Sequence, residues 1–506
     1  MMETQKTFEA IESSIKQTKA QLKSKEISTI KSISAGTAEV GGLENVKMAE
    51  LLEFEHGVFG MVQTLNNNSV GVVFINKPDK LKAGSRVNRT NRVLDVPVGE
   101  NLLGRVIDSL GEPLDGKGAI ITSERRAVET ESYAIMDRAP VNQPLQTGIK
   151  AVDAFTPIGR GQRELILGDR QTGKTAIAVD AIINQKNSGV ICIYCAIGQR
   201  NSAVANVIAE LEKAKVMSNC VVVCASADDT AGMQYIAPYA ATSIGEYFMQ
   251  QGKDVLIVYD DLTNHARAYR EMSLLLRCPP GREAFPGDIF YIHSRLLERS
   301  TKLIPELGGG SLTSLPIVST EAGNISAYIP TNIISITDGQ IYLSTDLFQK
   351  GILPAIDTGR SVSRVGGDAQ LPAYKSLIGP LKLFYSQFEE LESFTKFGTQ
   401  LDKETLLRLK RGQAIRAVLE QKQYSPLSAA DQIAVFSATN AGLFDNIAPQ
   451  NMDKAQKLIC ETFNLRFKDL IRQINDGKKL TAEQTKKMIE VFEQTLQSAE
   501  LINNDN

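Results

Sequence analysis

The sequence has no excess of charge of either sign. Its 506 residues include 56 lysine and arginine residues against 58 aspartate and glutamate residues, which leaves a formal net charge of −2. A surface that binds nucleic acid or an anionic membrane directly needs a basic excess, so this balance argues against both partners. Histidines are also few, and the spacing of His56, His265 and His293 is not that of a metal site.

Long hydrophobic runs are missing as well. No stretch approaches about 18 consecutive apolar residues, so we expect no transmembrane helix. The segment Met1 to Glu9 lacks the apolar core of a signal peptide, and we expect no secretion. Apolar residues make up 42% of the chain and charged residues 23%, as in an ordinary globular protein, and the length suits roughly two to four domains.

Four of the six cysteines fall in two apolar runs. Cys192 and Cys195 lie in the first run, and Cys220 and Cys224 lie in the second. The spacing within each pair could serve a zinc site. Apolar runs of this kind are more typical of buried strands, in which cysteine packs as a small apolar side chain. We therefore predict buried free thiols on adjacent strands and a reducing compartment.

The strongest motif is Gly168-Asp-Arg-Gln-Thr-Gly-Lys-Thr175, which fits the phosphate-binding pattern G-x-x-x-x-G-K-[ST]. An apolar run at 164–167 precedes it and an apolar helical pattern at 176–184 follows it. A loop that joins a strand to a helix in this way presents peptide N–H groups to an anion. The motif therefore predicts ATP or ADP binding. The predicted phosphate-site residues are Gly168, Asp169, Arg170, Gln171, Thr172, Gly173, Lys174 and Thr175.

A magnesium ion is expected beside this loop. We expect the Lys174 ammonium at the terminal phosphates and the Thr175 hydroxyl on Mg²⁺. The apolar run 254–261 predicts another buried strand, and Asp260 near its end is expected to hold Mg²⁺ through water. An aspartate at this point could instead cap the helix that follows.

The pattern of apolar residues and turn signals divides the chain into four regions. Residues 1–26 predict an amphipathic helix or tail, which either is solvated or docks to a partner. Short β-rich runs separated by turns over 27–96 predict an antiparallel β-barrel of about six strands. Strands and helices alternate over 97–372, which predicts an α/β nucleotide-binding domain with a parallel sheet. Helical patterns over 373–506 predict a C-terminal helical bundle.

Individual elements follow from the same patterns. Runs at 60–65 and 70–75 predict a hairpin in the barrel. Helices are predicted over 201–213 and 237–251 in the α/β region. In the last region the helical pattern begins near Pro380. The helices predicted there are 381–396, 403–419, 430–439, 454–474 and 482–501.

The order of barrel, phosphate-loop domain and helical bundle resembles that of the rotary ATPases, and most closely the α subunits of F-type ATP synthases. The resemblance extends from about residue 27 to residue 500 and implies a RecA-like fold for the α/β domain. The matching motifs are Gly168–Thr175, Tyr259–Leu262, Ser273–Arg277, Pro279–Glu283, His293–Arg299, Ile336–Gln340, Ser361–Arg364 and Gln423–Pro426.

The resemblance implies a non-catalytic, regulatory subunit that binds Mg-ATP. Such subunits alternate with catalytic β subunits in a ring of six around a central γ-type shaft. A peripheral-stalk δ-type subunit would bind at the N-terminus. The complex would make or hydrolyse ATP with proton transport at the cytoplasmic face of a bacterial membrane, or in an organelle matrix or stroma, and the chain would meet the membrane only through the complex.

Gln199 supports a non-catalytic site. It follows the strand predicted at 190–196, at a position where the catalytic subunits of the family carry glutamate. A neutral amide has no pKa that would let it activate water, although it can hydrogen-bond a water molecule or a phosphate. The site should bind nucleotide and hydrolyse it poorly.

The resemblance implies that Arg364 is the residue of this chain closest to the reacting nucleotide. It would be an arginine finger that reaches a nucleotide on the adjacent β subunit, so this chain would be catalytic only in trans. Ser335 and Ser361 would be its neighbours at that interface. From the residues alone, Arg364 could equally be an ordinary surface or ion-paired arginine.

The resemblance also implies an adenine pocket with two departures nearby. Leu353 stands where the family usually has arginine, and Arg360 adds a charge near the finger. These departures indicate a divergent member and leave open an F-type-like ATPase other than the main synthase. The remaining alternatives are a self-sufficient ring ATPase, a ring translocase on nucleic acid, against which the near-neutral charge argues, and a purely structural subunit with an empty site. The implied pocket residues are Phe348, Pro354, Gln421 and Gln423.

Overall fold

The computed structural model describes residues 26–395 and 402–501. The helix predicted within residues 1–26 lies almost entirely outside the described residues. The chain forms two compact units that divide after Val93. The predicted domain limits stay predictions.

The first unit is a closed antiparallel barrel, as predicted. Its six strands are β1 (Ile27–Ser34), β2 (Thr37–Gly41), β3 (Glu50–Phe54), β4 (Phe59–Asn66), β5 (Ser69–Phe74) and β6 (Arg86–Val93). They are hydrogen-bonded in the order β1-β2-β5-β4-β3-β6, and β6 pairs with β1 to close the barrel. The predicted hairpin is formed by β4 and β5. The interior is apolar and fully shielded at Val40, Leu52, Val72 and Phe74, because alternate residues of a strand point to the same face.

The second unit contains an eight-stranded sheet. The strands of this unit are β7 (Asp95–Val98), β8 (Val106–Ile107), β9 (Glu124–Ala127), β10 (Pro144–Leu145), β11 (Ile158–Gly159), β12 (Leu165–Asp169), β13 (Ile191–Gln199), β14 (Cys220–Ser226), β15 (Asp254–Asp260), β16 (Ser311–Thr320), β17 (Gly339–Leu343) and β18 (Val362–Ser363). The order in the sheet is β18-β17-β12-β16-β15-β13-β14-β8. All neighbouring strands in it are parallel except β18, which is antiparallel to β17. The α/β architecture predicted from the alternating pattern is confirmed.

Buried cysteines lie on the two neighbouring strands β13 and β14, as predicted. Cys192 is directly opposite Cys220 in the parallel register. The thiols of Cys192, Cys195, Cys220 and Cys224 are all buried. They are part of the apolar packing that covers both faces of the sheet.

Helices connect the strands of the sheet. The helix predicted over 201–213 is observed at those residues, but the helix predicted from Ala237 begins at Ala231. Its start is fixed by Thr230, whose hydroxyl accepts the Met233 N–H at 3.2 Å, and Pro238 is accommodated inside it. The helices of this part are Lys150–Phe155, Lys174–Ile183, Asn201–Lys213, Ala231–Gln250, Leu262–Leu275, Ile289–Leu297, Tyr328–Ile336 and Thr345–Gln349.

The remainder of the second unit is helical, as predicted. Its first helix begins at Pro372, earlier than expected, and contains Pro380. The pattern predicted as one helix over 454–474 is two helices, separated at Phe467, whose backbone leaves the helical region (φ −122°, ψ 39°). The helices are Pro372–Thr395, Lys403–Leu419, Ala429–Asn440, Met452–Arg466, Lys468–Asn475 and Ala482–Ser498. In the described part of the chain, every helix is too short or too polar to span a membrane.

A fully buried arginine connects three segments of the second unit. Arg299 donates from Nε and Nη2 to the two carboxylate oxygens of Glu246, at 2.8 and 2.7 Å. It also donates to the Val128 carbonyl oxygen at 2.9 Å and to the Ser243 hydroxyl at 2.8 Å. Arg299 is 0% exposed, so these contacts replace the solvent that its charge requires.

Candidate nucleotide-binding site

The predicted phosphate loop joins β12 to the helix Lys174–Ile183. Gly173 has a left-handed backbone (φ 99°) that favours glycine. Gly168 is needed for a different reason, because a Cβ atom there would lie 2.7 Å from the Leu343 carbonyl oxygen on β17. Thr172 is buried and donates to the Asp169 carbonyl oxygen at 2.8 Å. Two further loop side chains, those of Arg170 and Gln171, are exposed.

Lys174 folds back across this loop. Its Nζ donates to the carbonyl oxygens of Gly168 and Asp169, at 2.9 and 2.5 Å. Burial lowers the pKa of Lys174, and the charges of Asp261 and Asp260 act against that shift. The ammonium is therefore held at the loop, where an incoming anion would relieve its desolvation.

Asp260 collects three hydrogen bonds at the end of β15. Its Oδ2 accepts from the hydroxyls of Thr175 at 2.7 Å and Tyr194 at 2.8 Å. Its Oδ1 accepts from the Gln199 amide at 2.9 Å. Burial, followed by the neighbouring charge of Asp261, raises the pKa of Asp260 to about 6. The structure thus brings together both predicted metal residues, and a hydroxyl beside a carboxylate is an oxygen set that Mg²⁺ accepts.

The sequence analysis left open that Asp260 caps the helix that follows it, but the N-cap residue of that helix is Asp261. The Asp261 carboxylate accepts the Asn264 N–H at 2.8 Å at the start of the helix Leu262–Leu275. It also accepts from the Ser319 hydroxyl at 3.0 Å. Asp261 thus caps the helix, whereas the Asp260 carboxylate faces the phosphate loop and accepts the Thr175 hydroxyl.

Tyr194 and the contacts of Asp169 were not predicted from the sequence. Asp169 accepts from the hydroxyls of Thr320 at 2.5 Å and Thr345 at 3.0 Å and from the Gly323 N–H at 2.9 Å. Burial acts to raise the pKa of Asp169, but these hydrogen bonds outweigh it and lower the pKa. The available signal for Tyr194 was one hydroxyl-bearing residue in an otherwise apolar strand.

A cavity lies beside the phosphate loop, and the four predicted adenine-pocket residues all line it. Thr172 and Gly173 form part of its wall, so the cavity continues from the phosphate loop. Leu353 also lines it, at the position where the family usually has arginine. The lining residues are Ile149, Thr172, Gly173, Ala176, Ile177, Asp180, Leu343, Phe348, Leu353, Pro354, Gln421, Lys422 and Gln423.

The two glutamines of the cavity differ in what they can offer a ligand. Gln421 donates from Nε2 to the carbonyl oxygens of Gly148 at 2.8 Å and Ser425 at 2.9 Å, and its Oε1 accepts the Lys150 N–H at 3.0 Å. Both of its N–H donors are therefore used inside the chain. Gln423 is exposed, and its side-chain amide has no hydrogen-bond partner among the described residues. This amide is therefore free to contact a ligand.

Arg364 lies at the opposite end of the sheet from the phosphate loop. Its N–H donates to the Asp338 carbonyl oxygen at 2.8 Å, just before β17 begins, whereas Leu343 at the other end of β17 lies beside Gly168. The strand from Gly339 to Leu343 separates the two points by roughly 13 Å. The guanidinium is exposed and forms no hydrogen bond or ion pair within residues 26–395 and 402–501.

The two serines predicted beside Arg364 have different environments. Ser335 is exposed near the end of the helix Tyr328–Ile336, and its hydroxyl donates to the Asn332 carbonyl oxygen at 2.7 Å. Ser361 is buried, accepts the Tyr342 N–H at 3.0 Å and donates to the Asp357 carbonyl oxygen at 2.6 Å. The Ser361 hydroxyl therefore fixes the local backbone, and the predicted interface role of both serines stays a prediction.

Comparison with known proteins gives consistent matches along the chain. The family model for the ATP synthase alpha/beta family, nucleotide-binding domain, matches residues 148–363. The models for the beta-barrel domain of this family and for the C-terminal domain of the alpha/beta chain match residues 24–91 and 370–495. The chain is 55% identical to ATP synthase subunit alpha 2 of Syntrophus aciditrophicus, over 96% of this chain and 94% of that protein. It is 58% identical to ATP synthase subunit alpha 1 of Shewanella frigidimarina, over 90% of this chain and 88% of that protein.

Proposed function

Because the chain belongs to the ATP synthase alpha/beta family and is of its alpha type, we propose that it binds Mg-ATP without turning it over and completes a catalytic site on a neighbouring beta-type subunit. An alpha-type chain is part of an ATP synthase complex with beta and other subunits. The proposal concerns what this chain contributes to that complex.

The observation that carries the proposal is the hydrogen bond from the Gln199 amide to Asp260. A general base must accept a proton from water, and an amide cannot do so. Gln199 instead donates its N–H to Asp260 at 2.9 Å, which holds the carboxylate that faces Thr175. A glutamate in the same place would set two carboxylates against each other. The site therefore favours retention of a nucleotide over its hydrolysis.

The residues of the site suit Mg-ATP. The peptide N–H groups of the loop and the Lys174 ammonium would hold the phosphates, and the Thr175 hydroxyl and Asp260 would hold Mg²⁺. When bound, Mg²⁺ supplies charge neutralisation between the phosphate oxygens. The base would enter the cavity lined by Phe348 and Gln423.

The contribution in trans rests on the position of Arg364. It is exposed, has no partner among the described residues, and lies at the far end of the sheet from this chain's own phosphate loop. An arginine in that position can reach only a phosphate held by another subunit. We assign it as the arginine finger of the adjacent beta-type site.

The proposed surroundings follow from the family. The chain would alternate with beta-type subunits in a ring of six around a gamma-type shaft, with a delta-type subunit at its N-terminus. The complex would lie at the cytoplasmic face of a bacterial membrane, in line with the bacterial origin of the relatives. The chain would meet that membrane only through other subunits.

Replacing Lys174 with alanine tests the nucleotide site. We expect the affinity of the full chain for Mg-ATP, measured by calorimetry, to fall by about 10- to 100-fold, because a hydrogen bond to a charged group contributes about 1.5–3 kcal/mol. Lys186→Ala, which removes an exposed lysine shortly after the same helix, should leave the affinity unchanged. Steady ATP hydrolysis by the purified wild-type chain that Lys174→Ala abolishes would instead favour a self-sufficient ATPase.

A further inference from the structure

Three hydrogen-bonded side chains connect the interior of the second unit to β18, the strand directly before Arg364. Gln162 lies in the middle, and its Nε2 donates to Glu164 Oε2 at 2.7 Å and to the Ser363 hydroxyl at 3.2 Å. The Oε1 of Gln162 accepts the Gly159 N–H at 2.8 Å. Glu164 and Gln162 are both 0% exposed. The proposed function gives none of these contacts a role.

The Ser363 hydroxyl connects this buried group to the backbone on both sides of Arg364. It accepts the Gly366 N–H at 3.1 Å and donates to the Pro157 carbonyl oxygen at 2.8 Å. Ser363 itself is paired with Gly339 in the ladder between β18 and β17. The residue before Arg364 and the residue two places after it are therefore tied to one hydroxyl group.

The surroundings of Glu164 disfavour a negative charge on its carboxyl group. Its Oε1 is buried and accepts no hydrogen bond from any described residue. At Gly339, a Cβ atom would lie 2.9 Å or less from both carboxyl oxygens of Glu164 and from the Val362 carbonyl oxygen. The carboxyl group thus packs directly against the paired backbones of β17 and β18. Burial, followed by the charge of Asp338, raises the pKa of Glu164 well above its usual value.

The neighbouring cation does not compensate for this. Arg163 donates from Nε and Nη2 to the Asp338 carboxylate, at 3.0 and 2.8 Å, and also pairs with Glu298. Two carboxylates share its charge already, so an ionised Glu164 would add a third negative charge beside them. A protonated Glu164 avoids that charge and keeps Oε2 as the acceptor for Gln162.

We propose that Glu164 is kept in its neutral, protonated form and, through Gln162 and Ser363, positions Arg364 for the nucleotide of the neighbouring subunit. The inference rests on the proposed role of Arg364. Glu164 is a positioning residue, because it fixes the strand and does not touch the nucleotide. Such support matters, since a displacement of about 1 Å can lower a rate about 100-fold.

The test removes the middle of the group. Gln162→Ala should lower kcat of the reconstituted complex at least about tenfold with KM nearly unchanged, because a misplaced finger loses transition-state stabilisation. The same change made in an Arg364→Ala complex should have no further effect on the remaining turnover. Gln432→Ala is the matched control. Gln432 is also 0% exposed and joins a carboxyl group to a hydroxyl, those of Asp153 and Tyr374, and its removal should change turnover by less than a few-fold.

The protonation of Glu164 is tested by the pH dependence of stability. Above the ordinary pKa of 4.5, the unfolded chain is stabilised by ionising Glu164 and the folded chain is not, so this residue lowers stability as pH rises. Glu164→Gln keeps an oxygen for Gln162 and cannot ionise. It should retain turnover within a few-fold, and its urea midpoint relative to wild type should rise steadily from about pH 5 to about pH 8. A difference that stays constant over this range overturns the neutral form of Glu164.

The outcomes separate this inference from the proposed function. If Arg364→Ala lowers turnover and Gln162→Ala does not, the inference alone fails. It also fails if Gln162→Ala further lowers the turnover of the Arg364→Ala complex, because the glutamine then acts elsewhere. Turnover that survives Arg364→Ala overturns the proposed function and this inference with it. Because Glu164→Gln keeps the shape of the side chain, the pH measurement does not depend on how well Gln162→Ala folds.

Discussion

Replacing Arg364 with alanine is expected to lower ATP turnover by the assembled complex by about 10³- to 10⁵-fold, the usual contribution of an arginine finger. Mg-ATP binding to this chain should change by less than a few-fold, because the residue lies at the other end of the sheet from the phosphate loop. Turnover is measured on the reconstituted complex, and binding is measured on the purified full chain.

The segment that carries Arg364 is held firmly, as a positioned catalytic side chain requires. The Arg364 N–H donates to the Asp338 carbonyl oxygen at 2.8 Å. The Asp338 carboxylate accepts from Nε and Nη2 of Arg163, at 3.0 and 2.8 Å, and Arg163 also pairs with Glu298. The backbone is fixed while the guanidinium stays exposed. Such preorganisation lets a charged group stabilise a transition state without first reorganising.

Arg360 offers a matched control for the Arg364 variant. It is an exposed arginine four residues earlier, close to Asp357 (3.7 Å) and 5.4 Å from the centre of the Tyr342 ring. We expect Arg360→Ala to change turnover by less than a few-fold. Arg364→Lys should be intermediate or inactive, since lysine keeps the charge and loses the planar fork. Turnover of Arg364→Ala within a few-fold of wild type would show that the finger lies elsewhere.

The phosphate loop was predictable because its pattern is local. The residues from Gly168 to Thr175 adjoin one another, and the strand and helix around them have their own periodicity. The general position of Asp260 followed from the same logic, because the ends of parallel strands meet at one edge of a sheet.

The contacts between distant segments could not be predicted. Tyr194 reaches Asp260 only because β13 pairs with β15 in one register, and a sequence pattern does not fix a register between strands that are about 60 residues apart. Gln199 was predicted as a neutral residue at the site, but its role as a donor to Asp260 required the same register.

Two helices that contain proline begin earlier than predicted. Pro238 and Pro380 both lie inside helices, although proline favours the first turn of an isolated helix. In the first case the cap at Thr230 sets the start, and in both cases tertiary packing outweighs the lost backbone hydrogen bond. The interface role of Ser361 is implied by the family resemblance and stays a prediction, and the sequence does not show that its side chain turns inward.

Replacing Arg299 with methionine is expected to lower the free energy of unfolding of the second unit by about 3–5 kcal/mol. Methionine fills similar space but leaves Glu246, which is 5% exposed, without its cationic partner. The Val128 carbonyl oxygen and the Ser243 hydroxyl lose a donor as well. The measurement is urea unfolding followed by circular dichroism, since the chain contains no tryptophan to report by fluorescence.

A double variant separates the destabilisation caused by the unpaired Glu246 carboxylate from that caused by lost packing around Arg299. Arg299→Met combined with Glu246→Leu removes both charges, and replacement of a buried ion pair by apolar side chains of similar volume is often neutral. We expect the double variant to recover most of the stability that Arg299→Met loses. The Thr130 hydroxyl, 3.2 Å from Glu246, then loses its carboxylate partner, whereas the Ser243 hydroxyl and the Val128 carbonyl oxygen keep the 3.1 Å hydrogen bond between them. If the double variant is as unstable as Arg299→Met, the arginine acts through Val128 and Ser243 rather than through the carboxylate.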